Sequence, residues 1–328
     1  MYYKRLKMNI AVIDGGFSEE AQISFKSADT IMKNLNNTDY RAHRIRIIDK
    51  NWVYDPNGKQ LPVDKNDFSV LLEDKIIRFD CALIVIHGTP GEDGKLQAYF
   101  DLIDIPYTTC NHLTSTLTFN KYYCNRVLDS LGFSCAKALL LKSQDDYSDK
   151  EIIDYLKLPC FVKPNDGGSS FGASKVTTEN TLSEAIKNAF AHGEEVIVEE
   201  FLAGTEVTNG VYFNGKQVCP LPITEIVTSN AFFDYNAKYN GESTEITPAR
   251  ISDQLTEKIK SITKEIYEKL GLAGVCRVDY IIRENVPCVI EINTVPGQSA
   301  ESITPKMAAI EGISLEALYS TLIEQAIR

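Results

Sequence analysis

The sequence predicts an α/β protein of two or three packed lobes, and three stretches carry that reading. First, a strand from Asn9 to Ile13 runs into Gly15-Gly16 and is followed by a helix from about Ser24 to Leu35. A second strand, Ala82 to Ile86, delivers His87 and a loop over 88–94; Lys95 to Leu102 then reads as a helix, closing an α/β lobe near Cys110. The middle stretch alternates a helix around Leu117 to Leu131, strands Ala136 to Leu141 and Pro159 to Lys163, a Gly/Ser loop, a helix Thr181 to Phe190 and a strand Val196 to Glu199, a compact α+β unit. In the last third, Leu255, Ile259, Ile262, Ile266 and Leu270 recur at spacings of 4, 3, 4 and 4, one face of a helix that starts after the Ser252-Asp253 cap and stops at Gly271. Strands Gly274 to Ile282 and Pro287 to Ile292 form a hairpin around Arg283-Glu-Asn-Val, and a C-terminal helix closes the chain.

The 328 residues exceed one ordinary small domain and suit lobes of roughly 100 to 150 residues each. With 44% hydrophobic and 24% charged residues the composition is that of a soluble globular protein. The 45 acidic against 34 basic residues leave a net charge of -11, which disfavours nucleic acid as a partner. An anionic substrate must therefore be met by a few placed cations. After Lys4, Arg5 and Lys7 the apolar run Ile10 to Ile13 stops at Asp14-Gly15-Gly16, too short for a signal peptide. Nothing reaches the roughly 18 apolar residues of a membrane span, so a cytoplasmic protein is expected. The eight cysteines are scattered without a C-x-x-C pair and read as reduced core residues.

Three constellations carry chemistry. Arg277-Val278-Asp279 lies on one strand and Glu291-Ile292-Asn293 on the next; period-two alternation puts Arg277 with Asp279 on one face and Glu291 with Asn293 on one face. If the strands pair, four polar groups share a surface, and Asp, Glu and Asn are the hard oxygen ligands magnesium takes when it also holds nucleotide phosphates. A solvated sheet face fits the same spacing. The second is Lys163 at a strand end followed by Pro164-Asn-Asp-Gly-Gly-Ser169-Ser170-Phe-Gly172, where glycine backbone N–H groups, two serines and a lysine suit an anion; a hairpin turn is the alternative. It lacks the G-x-x-x-x-G-K-[ST] spacing, and Asp14-Gly-Gly-Phe-Ser18 lacks G-x-G-x-x-G, which disfavours a P-loop nucleotidase and a dinucleotide-binding oxidoreductase. The third, Val196 to Glu206, brings carboxylates beside apolar residues, suited to ribose and adenine or to an acidic turn.

In this order, these stretches resemble the ATP-grasp superfamily, and within it the D-alanine-D-alanine ligases. His87-Gly-Thr-Pro-Gly-Glu-Asp-Gly-Lys-Leu-Gln97 is similar to that family's H-G-x-x-G-E-D-G-x-x-Q, and Gly15-Gly-Phe-Ser-Glu-Glu20 to its G-G-x-S-x-E. Phe233-Asp-Tyr-Asn-Ala-Lys238-Tyr239 resembles its mobile active-site loop, and Glu291-Ile-Asn-Thr-Val-Pro-Gly297 its metal-binding segment. The resemblance implies an ATP-grasp fold in which an N-terminal α/β domain, 1–110, precedes a central lobe, 111–198, and a C-terminal lobe, 199–328, with the nucleotide between the last two.

It also implies a division of labour. Lys121 and Lys163 would hold ATP phosphates, with Ser169 and Ser170 closing over them; Glu199, Phe201, Leu202 and Glu206 would surround adenine and ribose. Asp279, Glu291 and Asn293 would bind two magnesium ions, with manganese as a substitute. Glu20 would hold the amine of a first D-alanine, whose carboxylate takes the γ-phosphate to give an acyl phosphate for a second D-alanine to attack. Arg277 and the Gly297 N–H would stabilise the oxyanion. Lys238, Ser302 and Ile303 would receive the second carboxylate, Tyr239 and Ser169 would link to Glu20, and His87 would lie near the second substrate. A homodimer, a role in peptidoglycan precursor synthesis and a mobile lid over about Val227 to Thr247 follow from the same resemblance and from the length of that loop.

Departures from the pattern fall at Ala21-Gln22, where the family has His or Arg then Glu, and at Gln298-Ser-Ala-Glu301, where it commonly reads Met-Thr-Ser. The second group flanks the second subsite, so D-serine or D-lactate stands as the alternative second substrate. A non-catalytic nucleotide-binding regulator predicts lost ligands, yet Lys121, Lys163, Arg277, Asp279, Glu291 and Asn293 are all present.

Overall fold

The computed structural model describes residues 7–18, 20–56, 59–143, 147–168, 171–228 and 243–328. Its first sheet has seven strands in the order β6-β5-β4-β3-β2-β1-β7. Strand β1 (Met8–Gly15) runs parallel to β2 (Tyr40–Ile48) and β7 (Cys81–Ile84), and helix α1 (Ala21–Leu35) makes the crossover between β1 and β2. The four short strands β3 (Asn51–Tyr54), β4 (Leu61–Asp64), β5 (Ser69–Leu72) and β6 (Lys75–Ile77) extend it as an antiparallel meander. None of these was legible in the periodicity, because strands of three or four residues carry too few alternations to register.

Helix α2 (Lys95–Leu102) covers one face of this sheet, burying Leu96 and Phe100 with Ile13, Ile45, Phe68 and Ile84. The other face packs against α1 and the end of the chain. There the expected single C-terminal helix is two, α8 (Ile303–Ile310) and α9 (Leu315–Ala326), broken at Gly312, whose φ of 76° a glycine adopts freely. Leu318, Tyr319 and Ile323 are buried with Ile10, Val12, Ile31 and Leu83, so the last helix rests on α1 and β7.

The middle sheet, β10-β9-β11-β8, is antiparallel: β8 (Ala138–Lys142), β9 (Cys160–Pro164), β10 (Ser174–Val176) and β11 (Glu195–Glu200). Helices α5 (Asp149–Leu156) and α6 (Leu182–Phe190) cover one face through Ile152, Leu156, Leu182 and Ile186, packed on Val162, Val196 and Val198. Strand alternation then turns Phe161, Lys163 and Glu199 to the opposite face.

The third sheet runs β14-β13-β12-β15-β16. It comprises β12 (Thr205–Phe213), β13 (Val218–Thr228), β14 (Ser243–Ile246), β15 (Val275–Arg283) and β16 (Val286–Asn293). The long amphipathic helix α7 (Asp253–Lys269) starts where expected, with the Ser252 hydroxyl accepting from the Leu255 N–H at 3.3 Å, and Gly271 follows its end at φ 61°. Its Ile259 and Ile266 meet Val207, Val211, Val278 and Tyr280 in the core. The β15–β16 hairpin closes through Glu284 and Asn285, both at positive φ, the geometry of a two-residue hairpin turn. The ends of the expected lid are ordered, since Val227 and Thr228 in β13 pair with Thr244 and Ser243 in β14, while 229–242 lie outside the described residues.

The helix expected around Leu117 to Leu131 is two helices, α3 (His112–Phe119) and α4 (Lys121–Ser130). Asn120 is extended between them: its N–H ends α3 on the Thr116 carbonyl and its side chain caps α4 by accepting from the Tyr123 N–H. The break places Lys121 at a helix N-terminus.

His43 on β2 yields a pH-dependent prediction. Its ring is buried against Tyr54 and Phe79, with Nδ1 3.1 Å from the Tyr54 hydroxyl and Nε2 3.1 Å from Asn9 Oδ1. Burial, helped by Arg41, pushes its pKa down to about 4. A folded value below the unfolded 6.5 means that the stabilisation is full above pH 6.5 and is lost as pH falls towards 4, on the order of 1–2 kcal/mol after solvent screening. His43→Gln should therefore be less stable than wild type at pH 7, and the gap should shrink by pH 4.5. A pH-independent gap in Tm would contradict this.

Candidate active site

A cleft of about 480 Å³ opens between the middle and third sheets. Lys121, Lys163, Glu199, Phe201, Leu202 and Glu206 all line it, so six residues scattered over the sequence meet in one place. Lys163 Nζ lies 2.7 Å from Glu199 Oε2. Burial alone would lower the lysine pKa, but Glu199, Glu291 and Glu206 outweigh it and hold the ammonium above its ordinary range. The cleft thus keeps a fixed cation. Its apolar floor is Ala136, Leu202, Ile281 and Ile290. Ile290 sits at a break in the β15–β16 register, where Asp279 pairs with Glu291 but Tyr280 pairs with Val289. This bulge adds one residue and turns Ile290 to the cleft, whereas strict alternation would put it with Ile292 in the core. Lys175 Nζ stands 3.8 Å from the Phe201 ring centroid.

The Gly-rich loop is anchored by a residue about which the sequence suggested nothing. Asn165 is fully buried; its Oδ1 accepts from the Tyr122 N–H at 2.8 Å, its carbonyl from the Lys121 N–H, and its amide donates to Glu195 Oε2. Lys121 Nζ in turn donates to the Gly167 carbonyl at 2.6 Å. The loop and the N-terminus of α4 therefore form one unit facing the cleft. Ser169 and Ser170 lie outside the described residues, as do Lys238 and Tyr239.

A second cleft, about 350 Å³, lies between the first lobe and the third sheet. Glu20, His87, Arg277, Asn293, Gly297, Ser302 and Ile303 line it. Glu20, Lys121, Gly167, Gly168 and Glu291 line both clefts, so the two meet there. A Cβ on Gly168 would stand 2.8 Å from a Glu20 carboxylate oxygen, so a side chain there would push the Glu20 carboxylate from its place. Ser302 precedes α8, and its hydroxyl is 2.8 Å from that of Ser299; with Ile303 it sets the positive end of the helix towards the cleft.

On the third sheet, Arg277 faces Asn293 and Asp279 faces Glu291, the shared surface expected from the spacing. Arg277 forks onto Asp279 with Nε and Nη2 both at 2.8 Å. Asp279 also accepts from the Thr208 hydroxyl at 2.5 Å and from Asn293 Nδ2 at 3.0 Å. It is buried behind Arg277 and lines neither cleft, whereas Glu291 reaches both. Among the described residues no three His, Cys, Asp or Glu stand together as a metal nest. What is present is two carboxylates and an amide on paired strands. That donor set suits a hard cation shared with phosphates rather than one caged by protein alone.

His87 donates from Nδ1 to the Val295 carbonyl at 2.8 Å, and its Nε2 is buried without a hydrogen-bond partner among the described residues. Burial lowers its pKa against the pull of Glu20, so the ring is neutral and Nε2 carries a lone pair. Glu92, part of the same motif but assigned no role from sequence, is half-buried beside it. Burial pushes its carboxyl up to about 7, with Glu20 and Glu291 adding to the shift. Gln298, a departure from the family pattern, does not face the cleft. Its N–H donates to Ser27 Oγ and its carbonyl accepts from the Tyr319 hydroxyl, which turns it into the core, while Ser299 and Glu301 do line the cleft.

A glycine-rich loop and a lysine-bearing sheet folded over a second, acid-lined sheet define an ATP-grasp ligase. Comparison with known proteins narrows the class. Family models described as "D-ala D-ala ligase N-terminus" and "D-ala D-ala ligase C-terminus" match residues 9–110 and 127–324. The D-alanine-D-alanine ligase of Flavobacterium johnsoniae is 48% identical over 317 residues, 96% of this chain and 98% of that one. The crystal structure of a D-Ala:D-Ser ligase from Enterococcus faecalis superposes with a TM-score of 0.87 at 32% identity, covering 97% of this chain and 99% of that one. That of the Bacillus anthracis D-alanine-D-alanine ligase complexed with ATP gives 0.78 at 28% identity, covering 98% of each chain. The chain belongs to the D-alanine-D-alanine ligase family.

Proposed function

We propose that the two clefts are the nucleotide and amino-acid sites of one ATP-dependent reaction, the joining of two D-alanines into a peptidoglycan precursor. The observation that carries it is their meeting at Glu20, Lys121, Gly167, Gly168 and Glu291, where a phosphate entering from one side reaches a carboxylate entering from the other. The lobes are assigned as 1–110, 111–198 and 199–328. Adenine and ribose lie among Glu199, Phe201, Leu202 and Glu206, and Lys121 and Lys163 neutralise the phosphates, with Ser169 and Ser170 over them.

Glu20 holds the ammonium of the first D-alanine and aims its carboxylate at the γ-phosphorus. The carboxylate oxygen bonds to phosphorus as the bond to ADP breaks, giving D-alanyl phosphate. The second D-alanine, its carboxylate received by Ser302, Ile303 and Lys238, loses a proton from its ammonium to solvent and attacks that carbonyl as the free amine. Arg277 and the Gly297 N–H hold the oxyanion until phosphate leaves. His87 Nε2 offers a lone pair beside the second amine, and Tyr239 with Ser169 braces Glu20. Glu291 and Asn293, with Asp279 behind them, would hold two magnesium ions, which would supply charge neutralisation of the phosphates. A homodimer in the cytoplasm completes the reading; among the described residues no helix is long and apolar enough to cross a membrane.

Phosphate release with ATP, magnesium and D-alanine should proceed, and with L-alanine it should not. With D-alanine and D-lactate competing at pH 6, dipeptide should dominate, and turnover should rise towards pH 9 as free amine accumulates. A dominant ester product would move the second substrate to a hydroxy acid and point to Ser299 and Glu301.

A further inference from the structure

We propose that Glu92 is a positioning residue for the ligation, an inter-lobe strut that fixes the third lobe's Gly297 N–H relative to Glu20 of the first lobe. Its Oε2 accepts from the Gly88 N–H at 3.0 Å within its own loop, and its Oε1 accepts from the Val295 N–H at 3.4 Å, 203 residues away in sequence. His87 donates to the carbonyl of the same Val295. One residue of the third lobe is thus gripped on both backbone groups by the first. Val295 stands midway between Asn293 and Gly297, so its placement sets both.

The grip continues to the first substrate's site. Ser18 Oγ donates to the His87 carbonyl at 3.3 Å and accepts from the Glu20 N–H at 3.3 Å. A continuous hydrogen-bonded route therefore runs from Glu20 through Ser18 and His87 to Val295. Glu92 supplies the second tie that stops Val295 from swinging on the His87 contact alone. The loop bearing Glu92 is itself stiff: Gly91 and Glu92 N–H groups both reach the Gly88 carbonyl, and Gln97 Nε2 holds the Gly91 carbonyl at 2.6 Å. Gly91 lies so close to Ile86 that a Cβ would stand 2.4 Å from its carbonyl oxygen. Placing a carboxylate near Glu20 and Glu291 is costly, and its placement is explained by the two N–H groups it satisfies.

The inference rests on the assignment of Glu20 and Gly297 to the reacting groups. A misplacement of about 1 Å between such groups costs about 10²-fold in rate. Glu92→Gln is isosteric but offers only one acceptor oxygen, so either Gly88 or Val295 is left facing an amide N–H. Its kcat for dipeptide formation should fall about 10- to 100-fold, with the KM for ATP within about twofold and Tm within a few degrees. Glu92→Ala should lose as much or more; if it fails to fold, Glu92→Gln decides. Glu92→Gln turning over within twofold of wild type, or losing ATP affinity in step with kcat, would overturn the strut. Glu20→Gln and Arg277→Ala, measured alongside, separate the two levels. If both are inactive while Glu92→Gln is normal, only the strut fails; if both are active, the site assignment fails.

Discussion

Glu291→Gln should bring phosphate release down at least about 10²- to 10³-fold while leaving the fold intact. Glu291 is placed to matter more than any other carboxylate in the site, since it alone of the three expected metal ligands lines both clefts. It pairs directly across the hairpin with Asp279, and its charge contributes to holding Lys163 protonated. The amide keeps the shape and an acceptor oxygen but removes the charge that a polyphosphate and its counter-cations require. Because β16 keeps its ladder to β15, circular dichroism and Tm should change little. Binding of Mn2+ in the presence of ATP, followed by paramagnetic resonance, should weaken in parallel with turnover. Near-normal turnover, or lost turnover with unchanged Mn2+ binding, would remove Glu291 from the ligand set.

How much of this was legible from sequence depends on how local the determinant is. The β15–β16 hairpin could be read because Arg277, Asp279, Glu291 and Asn293 obey period two on adjacent strands, and the helix Asp253–Lys269 because its apolar face and serine cap are contained in one segment. The family resemblance assigned Lys121, Lys163, Glu199 and Glu206 to the nucleotide, and all four line one cleft. At the site, what escaped was set by contacts between distant segments. Asn120 reads as an ordinary helix residue until the Asn165 carbonyl takes the Lys121 N–H and the helix breaks. Ile290 belongs to the apolar set by composition, and only the bulge turns it to the nucleotide cleft. Gln298 belongs to the departure that flanks the second subsite, but its backbone bonds to Ser27 and Tyr319 hold it in the core. Glu92 stood in a quoted motif without a role, because its partner Val295 is recognisable only after the lobes close.

Arg277→Ala should cost about 10² or more in turnover, with a smaller effect on ATP affinity. If the guanidinium meets the tetrahedral oxyanion, the charge it stabilises exists only in the transition state, so the loss falls on kcat. The structure adds a second consequence. Arg277 gives Asp279 two N–H donors at 2.8 Å, and its removal leaves a buried carboxylate held by Thr208 and Asn293 alone. Breaking such a pair from one side typically destabilises by about 3–5 kcal/mol when fully buried, and less here because the arginine is partly exposed. Arg277→Ala should therefore also melt earlier, which by itself does not slow a folded enzyme. Arg277→Lys separates the effects: it keeps a cation near Asp279, recovering most of the stability, but as a point charge cannot fork onto the carboxylate and reach the oxyanion together. Its Tm should return towards wild type while kcat stays at least about tenfold down. If lysine restores both, the guanidinium acts only through the charge it lends Asp279. If alanine instead lowers ATP affinity as much as turnover, Arg277 is a phosphate clamp and the oxyanion is held by the Gly297 N–H without it.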